Sequence, residues 1–191
     1  MHPTIVVDST PARVGTIIVA ALAVFASALI IISDGPVVAM RSLPYVWLVF
    51  WALYMLWWMP RLTIAPEQIS VRNMIFSWSV PWEQYTGARL NLGLILETRE
   101  VDIRAAAARP RTGVRNMKAH TGPVPLPFID ESKERVRLDL DSTQAAQLLR
   151  DYHERHQEGG LGAATDPVQK RVNVVPLLVA LVLLLLTFIP V

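Results

Sequence analysis

The sequence contains no cysteine. That one absence excludes disulfides, thiolate catalysis, cysteine-ligated zinc and iron–sulfur clusters. Catalytic glycine patterns are missing too. There is no GxSxG, no P-loop, no dinucleotide fingerprint and no kinase set. Gly159-Gly160-Leu161-Gly162 follows no strand and reads as linker. The net charge is only +2, too small to argue for nucleic acid. The expectation is a chain without cofactor and without enzymatic activity.

Charge is also missing, locally, from three apolar blocks. Val14 to Ser33 reads VGTIIVAALAVFASALIIIS. At 1.5 Å per residue it covers about 30 Å, the thickness of a hydrocarbon core. Pro44 to Met59 is shorter, and aromatic rings lie at both of its ends. Tyr45 and Trp47 stand at one end and Trp57 and Trp58 at the other, where amphipathic rings settle at headgroup level. Arg41 and Arg61 can snorkel outward from it. Val172 to Val191 is the third block. No Asp, Glu, Lys, Arg or His falls within these blocks, so the ionisable groups a transporter places at depth are lacking. Ala26-Ser27-Ala28 resembles a signal-peptidase site, but the apolar run continues past it to Ile32. The expectation is three membrane spans.

Basic residues near span ends set orientation. Arg13 precedes the first block, Arg61 follows the second, and Lys170 and Arg171 precede the third. The loop from Asp34 to Leu43 carries only Arg41. The expected arrangement is multi-pass in the plasma (cell inner) membrane, with the C-terminus external. Residues 1–13 form a cytoplasmic tail, 14–33 a first span, 34–43 an external loop and 44–60 a second span. Residues 61–158 form a cytoplasmic domain, 159–171 a linker and 172–191 a third span. The first two spans make a helical hairpin.

Between the spans the hydrophobic period changes to two. Leu62, Ile64, then Ile69, Val71, alternate around a Pro66-Glu67-Gln68 turn. Met74 to Val80, Tyr85 to Thr98 with a break at Gly93, Val101 to Arg104, and Val136 to Leu140 continue the strand pattern. A helical period follows. Asp141 suits an N-cap with Gln144 closing a capping box. Ala145, Leu148, Leu149 and Tyr152 form an i, i+3, i+4, i+7 stripe ending near Gln157. The fold class expected is an α+β membrane protein: an antiparallel barrel or sandwich of six or seven strands, one C-terminal helix, and flanking spans.

The run Leu62-Thr63-Ile64-Ala65-Pro66-Glu67-Gln68-Ile69-Ser70-Val71-Arg72-Asn73, followed by Val80-Pro81-Trp82-Glu83, resembles the opening of bacterial pleckstrin-homology-like (PH-like) domains. Such domains are common in small actinobacterial membrane proteins, typically with two spans just upstream. The resemblance covers about Arg61 to Glu158 and implies fold more than activity. The long loop after Ile103 and the third span depart from the simplest pattern of that family.

That loop, residues 104–129, holds the candidate contact residues Arg104, Arg109, Arg111, Arg115 and Lys118, plus His120 and no acidic residue before Ile129. Ala105 to Ala108 and several prolines read as poorly ordered. Anionic lipid attracts such a segment by ~1 kcal/mol per basic residue near the surface. No aromatic residue lies between Arg104 and Thr121 to stack on bases, so nucleic acid is not an expected partner. Candidate membrane-interface anchors are Tyr45, Trp47, Trp57, Trp58, Arg61, Lys170 and Arg171. Trp78 and Trp82 read as core packing. His153 and His156, spaced i, i+3, share a helix face but have no third metal ligand in sequence, and read as a solvent-exposed pair.

Two functions follow. In one, a membrane-anchored module binds anionic lipid or a protein partner at the inner leaflet. In the other, the chain is an accessory subunit of a larger membrane complex, its aromatic second span and its third span packing on partner helices or on a second copy.

Overall fold

The computed structural model describes residues 3–108, 127, 129, 133–158 and 166–188. In chain order the elements are β1 (Thr4–Val7), α1 (Thr10–Trp57), β2 (Arg61–Ile64), β3 (Gln68–Arg72), β4 (Phe76–Pro81), a 3₁₀ turn (Trp82–Gln84), β5 (Tyr85–Leu90), β6 (Leu94–Thr98), β7 (Ile103–Ala105), β8 (Arg135–Leu138), α2 (Ser142–Glu158), β9 (Gln169–Val172) and α3 (Val174–Leu186). They divide into two units. One comprises Met1–Ser9 with Pro60–Arg171, the other Thr10–Met59 with Val172–Val191.

The first unit is α+β. One sheet has six strands in the order β8-β1-β2-β3-β4-β9, and a second has three in the order β5-β6-β7. β1 pairs with β2, β2 with β3, β3 with β4, β5 with β6 and β6 with β7 antiparallel, whereas β1 pairs with β8 in parallel. Alternation decides which face is buried. Ile5, Val7, Leu62, Ile64, Ile69, Val71 and Val80 all turn to the core of the domain. The three-stranded sheet adds Leu94, Leu96 and Ile103, and α2 adds Ala145, Leu148, Leu149 and Tyr152. The helix begins as its sequence indicates. Asp141 Oδ1 accepts from the Thr143 and Gln144 amides at 2.9 and 2.8 Å, and Gln144 Oε1 accepts from the Asp141 amide at 3.2 Å.

Four features of this unit differ from the sequence reading. Residues 4–7 are not tail: β1 is an interior strand, and its Ile5 and Val7 are fully buried. Four residues are too few to display a period, but β-branched side chains suit a pleated, buried surface. The described strands number nine rather than six or seven. Residues 169–171 are strand rather than linker, and Val172 ends that strand rather than opening the third span. Ala105, Ala107 and Ala108 are buried in the core rather than loosely ordered, because their small side chains fit against it.

The second unit is helical. In α1, 48 residues long, Gly35 alone is non-helical, with φ 78° and ψ 175°. Only glycine adopts that conformation at low cost. Pro36 follows at the start of the second arm, where a missing N–H is tolerated. The two arms fold back on one another. Arg13 lies over the Trp58 ring at 5.4 Å, and a Cβ at Gly15 would stand 3.2 Å from the Trp57 ring. A straight helix would separate Gly15 from Trp57 by about 63 Å. The hairpin is therefore present, but its ends meet at one residue, not across the ten-residue loop 34–43. α3 runs antiparallel to the second arm. Trp51 Nε1 donates to the Pro176 carbonyl at 3.0 Å, and Tyr45 OH donates to the Thr187 carbonyl at 3.2 Å. α3 has 13 residues, about 20 Å of rise: β9 takes Val172, Asn173 caps the helix, and the helix ends at Leu186. It is therefore shorter than the span expected over 172–191.

Candidate functional site

The 3₁₀ turn after β4 delivers Trp82 into the core, where it is 1% exposed. Its Nε1 donates to the Ala65 carbonyl at 2.9 Å, closing the β2–β3 turn. Four rings surround it. Tyr85 meets it edge-on at 5.8 Å, and Tyr152, His153 and His156 of α2 lie roughly parallel to it at 6.2, 6.3 and 5.0 Å. His153 also meets Tyr85 edge-on at 5.0 Å. The histidines are thus half-buried and stacked, not a free solvent-exposed pair. The signal was legible: His156 lies four residues after Tyr152 and seven after Leu149, on the extension of the apolar stripe.

Two polar atoms of this cluster are buried without a hydrogen-bond partner among the described residues, Tyr85 OH and His153 Nδ1. Burial pushes the Tyr85 phenol up to about 12, with Arg150 opposing and Glu97 reinforcing the shift. Burial lowers His153, His156 lowers it further, and Glu154 opposes. The cluster binds α2 to the sheets. Among the described residues, no group of three His, Asp or Glu side chains is placed to hold a metal.

Of the basic contact candidates, Arg104 is described. It sits on β7 with its side chain exposed and its guanidinium 3.5 Å from the Asn91 carbonyl. Arg109, Arg111, Arg115 and Lys118 lie outside the described residues. The aromatic anchors are placed within the helical unit. Trp47, Phe50, Trp51, Tyr54 and Trp58 form a run of ring contacts along the second arm. Trp57 faces Gly15, and Tyr45 reaches α3. Arg61 begins β2, with its partner strand position held by Arg72. Lys170 lies over Phe76 at 3.9 Å and Trp78 at 5.1 Å, so the half-buried Trp78 is capped by a cation. Arg171 bonds Gln169 at 3.4 Å on the exposed strand β9.

A second constellation was not visible in the sequence. Asn73, in the β3–β4 turn, donates from Nδ2 to the Arg104 carbonyl at 2.7 Å, and its Oδ1 accepts from the Ala106 amide at 3.0 Å. It therefore imitates a strand partner for β7 and joins the two sheets at one end. Beside it stands the β5–β6 tip, where Leu92 takes φ 50° and Gly93 φ 128°. A Cβ at Gly93 would stand 3.8 Å from the Ala108 carbonyl, in ordinary contact, so it is the positive φ that favours glycine there.

No family model, curated protein or solved structure matches this chain.

Proposed function

We propose that this chain is a non-enzymatic, membrane-anchored module whose PH-like domain binds anionic lipid or a protein partner at the inner leaflet. One observation carries the reading. Val7 and Leu62 pair in the same sheet, yet the 48 residues of α1 lie between them, and its most apolar stretch is only 11% buried. A core helix of a soluble protein would be mostly buried. A cleaved signal sequence would take β1 away with it and remove an interior strand. A lipid-embedded hairpin fits both facts, because lipid is the solvent that accepts such side chains.

Each arm of α1 is long enough for the hydrocarbon core, at about 30 Å or more. The hairpin returns the chain to the side it left. With Arg13, Arg61, Lys170 and Arg171 at that side and only Arg41 at the turn, the domain faces the cytoplasm. The accessory-subunit reading drew on aromatic residues left for partner helices. Tyr45, Trp51, Trp57 and Trp58 are instead engaged within the chain, which favours the self-contained module.

The test is extraction of membranes carrying the full chain. Washing at alkaline pH without detergent should leave it in the pellet, and mild detergent should release it. Release by the alkaline wash alone would overturn the reading.

A further inference from the structure

Arg72, the last residue of β3, pairs with Arg61, the first of β2, which starts three residues after α1. The β3–β4 turn therefore lies at the end of the sheet where the chain arrives from α1. That end carries more than a turn. Asn73 ties it to Arg104 and Ala106, and the Arg104 guanidinium ties it on to Asn91 at the β5–β6 tip. Two turns and one strand end are thereby joined into one rim.

The rim exposes apolar side chains that the fold could have avoided exposing. Leu92 is 84% exposed, Leu90 48% and Ile75 38%. Leu92 also holds a positive φ, a conformation in which asparagine or glycine would be the ordinary choice. A leucine kept there, in water, gains nothing for folding. Between these residues stand Arg72 and Arg104, both exposed. Neither has an ion-pair partner among the described residues. The nearby acidic pair, Glu97 and Asp102, is occupied by Arg89 at 3.4 and 2.9 Å. Asp8 and Asp139 follow β1 and β8, two and three strands away from Arg72.

We propose that this rim is a second membrane contact, resting on the membrane-anchored reading above. Leu92, Leu90 and Ile75 enter the headgroup–acyl boundary, and Arg72 and Arg104 meet the phosphates of anionic lipid. Apolar tips flanked by unpaired cations are what an interface of that chemistry accepts. Only three residues of chain separate Trp57, the last of α1, from Arg61 at this end of the sheet. This contact shares Arg104 with the basic loop and differs from it in burying apolar surface.

The absence of cysteine makes the test direct. Full-length L92C, and separately I75C, is labelled with an environment-sensitive fluorophore and reconstituted into vesicles with or without phosphatidylglycerol. Q68C, at the first residue of β3 and the opposite end of the sheet, is the control. The expected result is a blue-shifted label at 92 and 75, quenched by lipid-borne nitroxide in anionic vesicles, with 68 unaffected. Adding R72E or R104E should shift the docked equilibrium about fivefold each, equivalent to about 1 kcal/mol per basic group near an anionic surface. Labels at both 92 and 75 that stay water-exposed in anionic vesicles overturn the proposal. If the protein then still resists alkaline extraction, the anchor reading stands and only the rim contact fails. Quenching that ignores phosphatidylglycerol and both arginine variants also overturns the assignment to anionic lipid.

Discussion

Trp82 and His156 lie ring on ring, with centroids 5.0 Å apart and planes 24° from parallel. This stack fastens the last turns of α2 to the turn that ends β4. Trp82→Ala removes the largest fully buried side chain of the domain. Large-to-small changes of this kind cost about 3–5 kcal/mol, a large share of the roughly 5–15 kcal/mol that holds a domain folded. The expected outcome is loss of the cooperative thermal transition of the β-domain, followed by circular dichroism of the full chain in detergent. Trp82→Phe keeps a ring but loses the bond to Ala65, and should lower the transition by less.

The same cluster sets a pH window. The neutral form of His153 is favoured on folding, so its pKa falls below 6.5, through burial first and His156 second. Its contribution is full above that value and is lost as pH falls, because the unfolded chain takes up the proton first. Tyr85 acts in the other direction. Burial raises it from 10.0 to about 12, so its contribution holds below 10.0 and is lost as pH rises toward 12. Stability measured against pH should therefore decline on both sides of the interval from 6.5 to 10.0. His153→Phe should make the acid limb shallower, and Tyr85→Phe the alkaline limb. Tyr85→Phe also deletes a buried hydroxyl without a partner, so near pH 7 it should raise stability, by about 1 kcal/mol. Unchanged limbs in both variants would refute this account.

The parts of this domain that were readable in sequence are those with local causes. β2, β3 and β4 follow from alternation, because one residue in two must face the core. The start of α2 follows from Asp141 and Gln144, because their side chains satisfy amides at fixed offsets. The parts that were not readable have distant causes. β1 is a strand because β2 and β8 lie on either side of it, and nothing in Thr-Ile-Val-Val shows that a partner is waiting. β9, Gln-Lys-Arg-Val, has no alternation at all and is exposed along its length. Asn73 lies between β3 and β4. Its role in joining two sheets depends on Arg104 and Ala106, more than 30 positions away.

The capping box gives a smaller and cleaner test. Asp141→Ala leaves the amides of Thr143 and Gln144 without their side-chain acceptor. Loss of an N-cap costs about 1 kcal/mol. A domain of this size should show a fall of several degrees in its transition temperature, within roughly 4–8 °C per kcal/mol. Asp141→Asn, which keeps an acceptor oxygen, should recover most of that loss.

The fold-back of α1 is the relationship on which the anchored reading turns, and it can be measured directly. Val14 and Leu56 are both exposed, one near each end of α1. Spin labels at V14C and L56C in one chain should report a short separation, on the scale of neighbouring helices at about 10 Å between axes. A continuous helix would place them about 63 Å apart. Gly15→Leu then tests what holds the arms together. Even a Cβ at this position would lie 3.2–3.3 Å from two atoms of the Trp57 ring, closer than the optimal separation of packed carbons, so the ring would have to give way. A full leucine must push the arms apart, so the label distance should lengthen and broaden in bilayers. Trp57→Leu in the same chain removes the obstructing ring and should restore the short distance. If Gly15→Leu left the distance unchanged, Trp57 would not be the partner of Gly15 and the packing of the two arms would have to be different.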